Sequence, residues 1–102
     1  MPRIALCPTN RLASAPLVRV AVPGLPPLVV GRHAGAWFAL ADACNHGEAS
    51  LADGTLEGDE LVCPHHRGAF AVATGAATRP PCHRPQARYA VGEEDGMLWV
   101  DL

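Results

Sequence analysis

The run from Cys44 to Phe70 limits the folding of this chain more than any other stretch. It reads Cys44-Asn45-His46 and, after sixteen intervening residues, Cys63-Pro64-His65-His66-Arg67-Gly68-Ala69-Phe70. Thiols and imidazoles therefore arrive in pairs, one Cys-x-His and one Cys-x-x-His, with Gly47 and Pro64 bending the backbone so that each pair faces a common centre. Two sulfur and two nitrogen donors satisfy four positions. That set suits a tetrahedral Zn²⁺, or a [2Fe–2S] cluster in which one iron takes both Cys and the other both His. Either occupant requires a fold that brings two distant loops to one point.

The order Cys-His then Cys-His separates the two cases, because a zinc finger usually groups Cys with Cys and His with His. With Gly47 after the first His, Pro64 after the second Cys and Phe70 closing the second loop, the pattern resembles that of the Rieske [2Fe–2S] proteins. The likeness extends through the flanking strands and the Pro80-Pro81 turn to the small Rieske ferredoxins of bacterial ring-hydroxylating dioxygenases. It implies that Cys44 and Cys63 hold the inner iron of one [2Fe–2S] cluster, and His46 and His66 the outer iron. It also implies an all-β fold, a Rieske-type antiparallel β-sandwich or barrel with an inserted cluster-binding lobe at about 43–70.

Length bounds what such a chain does by itself. At 102 residues one domain covering 1–102 is expected, too short to add the mononuclear-iron domain that follows the Rieske part of oxygenase subunits. The formal net charge of −2 gives nucleic-acid binding no electrostatic support. Acidic residues Glu48, Asp53, Glu57, Asp59 and Glu60 lie between the ligand pairs, and Arg67, Arg79, Arg84 and Arg88 follow them. This asymmetry is read either as ordinary solvated surface or as a device that orients a partner. Pro16, Pro23, Pro26 and Pro27 interrupt the apolar runs before Leu28, so neither a signal peptide nor a membrane span is expected. A soluble cytoplasmic protein is expected, in a compartment where thiols serve metals rather than disulfides, and a monomer is expected beside its reductase and oxygenase partners.

Along the chain, Ile4 to Cys7 reads as a short strand, and Leu17 to Val22 alternates apolar residues with period two. Leu28-Val29-Val30 and Trp37 to Leu40 form a hairpin about His33-Ala34-Gly35. Asp53-Gly54, between Leu51 and Leu56, signals a second hairpin, and Glu60-Leu61-Val62 delivers Cys63. Phe70-Ala71-Val72 leaves the site, Gly75 turns, and Arg79 to Cys82 makes a stiff loop. Arg88 to Val91 and Met97 to Val100 are the last strands, joined through Glu93 to Gly96. Gly or Pro breaks nearly every helix candidate.

Replacing two thiolates by neutral imidazoles makes the site easier to reduce, with Rieske centres at roughly −150 to +300 mV against about −400 mV for plant-type ferredoxins. High-potential members of the family add a disulfide and Ser and Tyr donors around the cluster. Here Ala49 and His65 stand at the disulfide positions, Gly68 at the Ser and Phe70 at the Tyr, which implies the low-potential end. The resemblance thus implies an electron carrier with no catalytic residues, taking single electrons from an NAD(P)H-dependent flavin reductase to a terminal oxygenase. Two alternatives are a small Rieske-like subunit of an assimilatory nitrite reductase and a zinc-stabilised interaction module. Of the remaining residues, Cys7 reads as a small core hydrophobe and Trp37 and Trp99 as core aromatics. His65 reads as surface near the cluster and available to a partner, His33 as solvated, and His83 as either solvated or part of a docking surface. Cys82 lies in the loop that, by resemblance, covers one side of the cluster.

Overall fold

The computed structural model describes residues 3–45, 49–65 and 67–101. Its strands are β1 (Arg3–Pro8), β2 (Leu17–Val20), β3 (Leu28–His33), β4 (Ala36–Ala41), β5 (Thr55–Glu57), β6 (Glu60–Val62), β7 (Ala69–Ala71), β8 (Ala77–Arg79), β9 (Arg88–Glu94) and β10 (Met97–Asp101). Two antiparallel sheets result: six strands in the order β1-β10-β9-β4-β3-β2, and four in the order β5-β6-β7-β8. The expected all-β fold is what the chain adopts. Among the described residues, no helix is long and apolar enough to cross a membrane.

The hairpin of β3 and β4 joins two cores. Because side chains alternate across a strand, Leu28, Val30 and Ala39 face one core with Val18, Val20, Leu98 and Val100. Their neighbours Val29, Phe38 and Leu40 face the other, with Leu51, Leu61, Phe70 and Val72. A hairpin apolar on both faces must be covered on both, and the four-stranded sheet is the second cover. Cys44, Cys63 and Cys82 belong to that second core. Gly31 on β3 leaves room for the Phe38 ring, which a side chain there would strike.

Several local expectations differ from the structure. Asp53-Gly54 does not turn a hairpin. Leu51–Asp53 is a 3₁₀ turn, and β5 and β6 reverse instead between Glu57 and Glu60, where Gly58 has φ +61°. The Asp42 carboxylate accepts the Ala52 N–H at 2.9 Å and so fixes that 3₁₀ turn. Gly54 serves a different need, since any Cβ on it would collide with the Val62 carbonyl oxygen. A one-turn helix, α1 (Arg11–Ser14), and strand β8 escape the sequence reading because neither is long enough to display a period. Trp37 and Trp99 are half-buried rather than core. The Arg32 guanidinium lies 5.0 Å from the Trp37 ring centre, and that of Arg3 lies 5.7 Å from Trp99.

Candidate metal centre

Two hairpin tips carry the paired motifs, and they are built alike. In the first, Ala43 bridges Ser50 and the Cys44 N–H donates to the Ala49 carbonyl at 3.0 Å. In the second, Val62 pairs with Ala69 and the Cys63 N–H donates to the Gly68 carbonyl at 2.7 Å. Each tip is thus a six-residue loop with Cys as its first residue, 44–49 and 63–68. The same closure, repeated, presents both thiols from the root of a loop, next to its closing hydrogen bond.

Different groups brace the two tips. Beneath the first lies the buried Asp42, whose carboxylate accepts from Ser50 Oγ at 2.6 Å and from the Ala52 N–H, and pairs with Arg19 Nε at 3.2 Å. Gln86, only 4% exposed, donates through Nε2 to the carbonyls of Ala41 and Ala43, each at 2.6 Å, and accepts the Asn45 N–H at 3.3 Å. Asn45 Nδ2 donates in turn to the carbonyls of Arg84 at 3.0 Å and Pro85 at 2.9 Å. The loop containing the cis Pro80-Pro81 bond is thereby stitched to the first tip. Sequence reasoning missed Gln86, since a polar residue in a Pro-rich loop gives no sign of partners some forty positions earlier.

The second tip is held from outside. Arg67, in the left-handed region at φ +56°, donates to Glu57 Oε2 at 2.7 Å, and Arg79 reaches Glu60 at 2.7 Å and Glu57 at 3.7 Å. Glu57 and Glu60 of the acidic block thus pair with Arg67 and Arg79 of the basic one, while Glu48 lies outside the described residues. Hydrogen bonds from Arg67 and then Thr55 hold the Glu57 carboxyl below the usual range, and those from Thr78 and then Arg79 do the same for Glu60.

At the centre, three thiols converge. Cys44 and Cys63 are 2% and 1% exposed and lie against each other; Cys82, 5% exposed, sits with its Sγ 3.9 Å from Cys44 Sγ. Burial pushes the Cys63 thiol up, and the His65 backbone N–H donating to it pulls the other way. Cys82 is pushed up to about 12, first by burial and then by the neighbouring charge of Cys44. Among the described residues these thiols do not by themselves complete a metal site. His46 and His66, the nitrogen donors expected from the sequence, lie outside the described residues. His65 and His83 are exposed, His33 is half-buried, and Cys7 is buried in the other core.

The donor chemistry fits a cationic diiron core. Cysteines bind a metal as thiolates, so two buried thiols side by side suit an occupant that carries enough positive charge to offset both. The core offers few competing polar groups, because every buried side-chain N or O among the described residues has a partner.

Comparison with known proteins agrees. Residues 3–90 match the Rieske [2Fe–2S] domain family. The ferredoxin component of the p-cumate 2,3-dioxygenase system of Pseudomonas putida is 39% identical over 100 residues, spanning 97% of this chain and 85% of that protein. The structure of the Sphingomonas yanoikuyae B1 ferredoxin superposes with TM-score 0.90 at 36% identity, covering 99% of each chain. A chain in the complex of reduced oxygenase and oxidized ferredoxin of carbazole 1,9a-dioxygenase superposes with TM-score 0.87 at 37% identity, covering 96% of this chain and 91% of that one.

Proposed function

Since the chain belongs to the Rieske [2Fe–2S] family and so carries one [2Fe–2S] cluster, we propose that it is the ferredoxin component of a multicomponent aromatic-ring dioxygenase system. It receives single electrons from an NAD(P)H-dependent flavin reductase and delivers them to a terminal oxygenase, in the cytoplasm and as a monomer. One observation carries the reading. Two identically closed hairpin tips bring Cys44 and Cys63 together in a buried, charge-poor pocket, in a chain that matches ferredoxin components over nearly their whole length.

Cys44 and Cys63 would bind one iron, and His46 and His66 the other. When bound, the cluster takes up and releases one electron without making or breaking bonds to a substrate, so no residue here is assigned as acid, base or nucleophile. The chain's own work is to hold charge in place. The His65 N–H donates to Cys63 sulfur, and a hydrogen bond to a ligand sulfur favours the reduced, more negative state. Burial of both thiols keeps water from them, while the second tip is exposed at Pro64, His65 and Arg67. A partner approaching that end reaches the site without crossing the core. A single domain over 1–102 with its cluster-binding lobe at about 43–70 is part of this reading.

The test begins with metal and sulfide analysis of the purified protein. Two iron and two acid-labile sulfides per chain are expected, followed by one-electron reduction at the low end of the Rieske range and electron transfer from a flavin reductase to an oxygenase. Stoichiometric zinc without sulfide refutes the reading. A protein that holds the cluster but reduces no ring-hydroxylating oxygenase refutes the proposed partner.

A further inference from the structure

Cys82 occupies space that the second ligand loop would otherwise fill. A Cβ placed on Gly68 would collide with Cys82 Sγ and come within 3.3 Å of its backbone N. The thiol thus lies over the backbone of that loop while its sulfur reaches Cys44 Sγ at 3.9 Å, a distance at which thiols hydrogen-bond. Its position is fixed from both sides. The Cys82 N–H donates to the Arg79 carbonyl at 3.1 Å, and the Gln86 N–H to the Gly75 carbonyl at 2.7 Å. Among the described residues, the Cys82 sulfur has its hydrogen-bond partner in Cys44 Sγ.

Ligation decides the direction of this contact. A cysteine that binds iron gives up its proton, so Cys44 becomes an acceptor and Cys82 remains the donor. Cys82 is not assigned to an iron, so it is the remaining thiol, and its sulfur faces Cys44 Sγ across 3.9 Å. We propose that Cys82 is a positioning residue for the redox centre. Its thiol donates an S–H···S hydrogen bond to the Cys44 sulfur and favours reduction, in a place where a donor on residue 68 is excluded by Cys82 itself. The inference rests on the reading of Cys44 as a cluster ligand.

Three variants separate donation from packing. Cys82→Ala and Cys82→Val remove the donor, the second while nearly keeping the volume, and both should weaken reduction by about threefold to tenfold, tenfold being about 59 mV for one electron. Cys82→Ser keeps a donor and should retain at least half of the wild-type preference. If Val matches the wild-type midpoint, or if all three variants fall alike, the proposal is overturned. A measurement on the unaltered protein covers variants that fail to load. Of the four cysteines, two lose their protons as ligands and Cys7 lies in the other core, so an S–H infrared band that shifts on reduction must come from Cys82. No shift overturns the proposal. Metal analysis keeps the two readings apart: a wild-type protein without iron and sulfide refutes the ligand assignment, whereas a loaded protein with a silent S–H band refutes the role of Cys82 alone.

Discussion

Gln86→Ala tests whether the Pro-rich loop is structural bracing for the first ligand tip. The side chain is 4% exposed and its amide serves three main-chain groups, the carbonyls of Ala41 and Ala43 and the N–H of Asn45. All three lie in the run that leads into or begins the tip. Truncation leaves two carbonyls and one N–H facing a small void. A buried polar group left without a partner costs about 1–3 kcal/mol, and partial entry of water puts the sum for this site near the low end, about 3 kcal/mol. A domain of this size is stable by about 5–15 kcal/mol, so the variant still folds. Its melting temperature should fall by roughly 12–24 °C at about 4–8 °C per kcal/mol.

Denaturant unfolding of the apo and loaded protein measures the loss, and chelator-driven bleaching at fixed temperature measures cluster release. Release should accelerate, because Asn45 directly follows Cys44 and its main-chain N–H loses its acceptor. Gln86→Glu is the sharper control. It keeps an acceptor for Asn45 but turns a carboxylate oxygen toward two carbonyls, which raises its pKa; its stabilising protonated form is present at low pH and lost as pH rises. At neutral pH this variant should be at least as unstable as Gln86→Ala and should recover on acidification. A loss below 1 kcal/mol for Gln86→Ala, or wild-type stability of Gln86→Glu at neutral pH, refutes the bracing argument.

Gly68→Ala should destabilise by about 1–3 kcal/mol through overpacking against Cys82 Sγ, and combining it with Cys82→Ala should restore at least half of that; strictly additive losses in denaturant melts would contradict the contact. Glu57 and Glu60 have carboxyls held below the ordinary 4.5, so the stability they add is present above that value and drains away as pH falls through their lowered pKa values. The Glu57→Gln, Glu60→Gln double variant should therefore lose less stability than wild type in acid titrations, and parallel curves would count against the ion-pair assignment. Arg67 is exposed and Glu57 only half-buried, so added salt should screen their pair and speed cluster release, and Arg67→Ala should remove most of that salt dependence; an unchanged dependence would mean the pair does not hold the tip. Converting His46 and His66 to Cys should move the midpoint toward the roughly −400 mV of all-Cys clusters, and a loaded variant with an unmoved midpoint would show the ligands to be misassigned.

The two cysteines at the centre were legible because their spacing with histidine is local in sequence. β2 is legible from the period-two alternation that begins at Leu17, and β3 and β4 are legible as short apolar runs bounded by turn signals. The turn at Asp53-Gly54 was misread where a local signal met a stronger distant one: Leu51 is fully buried and the Asp42 carboxylate captures the next N–H, which commits the segment to a 3₁₀ turn. Gln86 and the Cys82–Gly68 contact were not legible, because each joins loops whose proximity exists only after both sheets have formed. The charge asymmetry was visible, but its resolution into Arg67–Glu57 and Arg79–Glu60 pairs required the register of β5 through β8.

The likeness of the two tips and the contrast in their bracing have a common origin in the sheets. The tip at 44–49 leaves directly from β4, a strand buried on both faces, so the groups that brace it are themselves buried and had to be hydrogen-bonded, as Asp42 and Gln86 are. The tip at 63–68 joins β6 to β7, and the charged side chains around it, Arg67, Glu57, Glu60 and Arg79, keep enough exposure to pair as ions at little desolvation cost. Screened surface pairs contribute little stability, so the second tip depends on the Cys63 to Gly68 closure and on Cys82 packed over Gly68 for its shape. Cys82 is therefore placed where the more weakly braced tip meets the more firmly braced one, and a single thiol can both set the spacing between the two loops and bias the charge held between them.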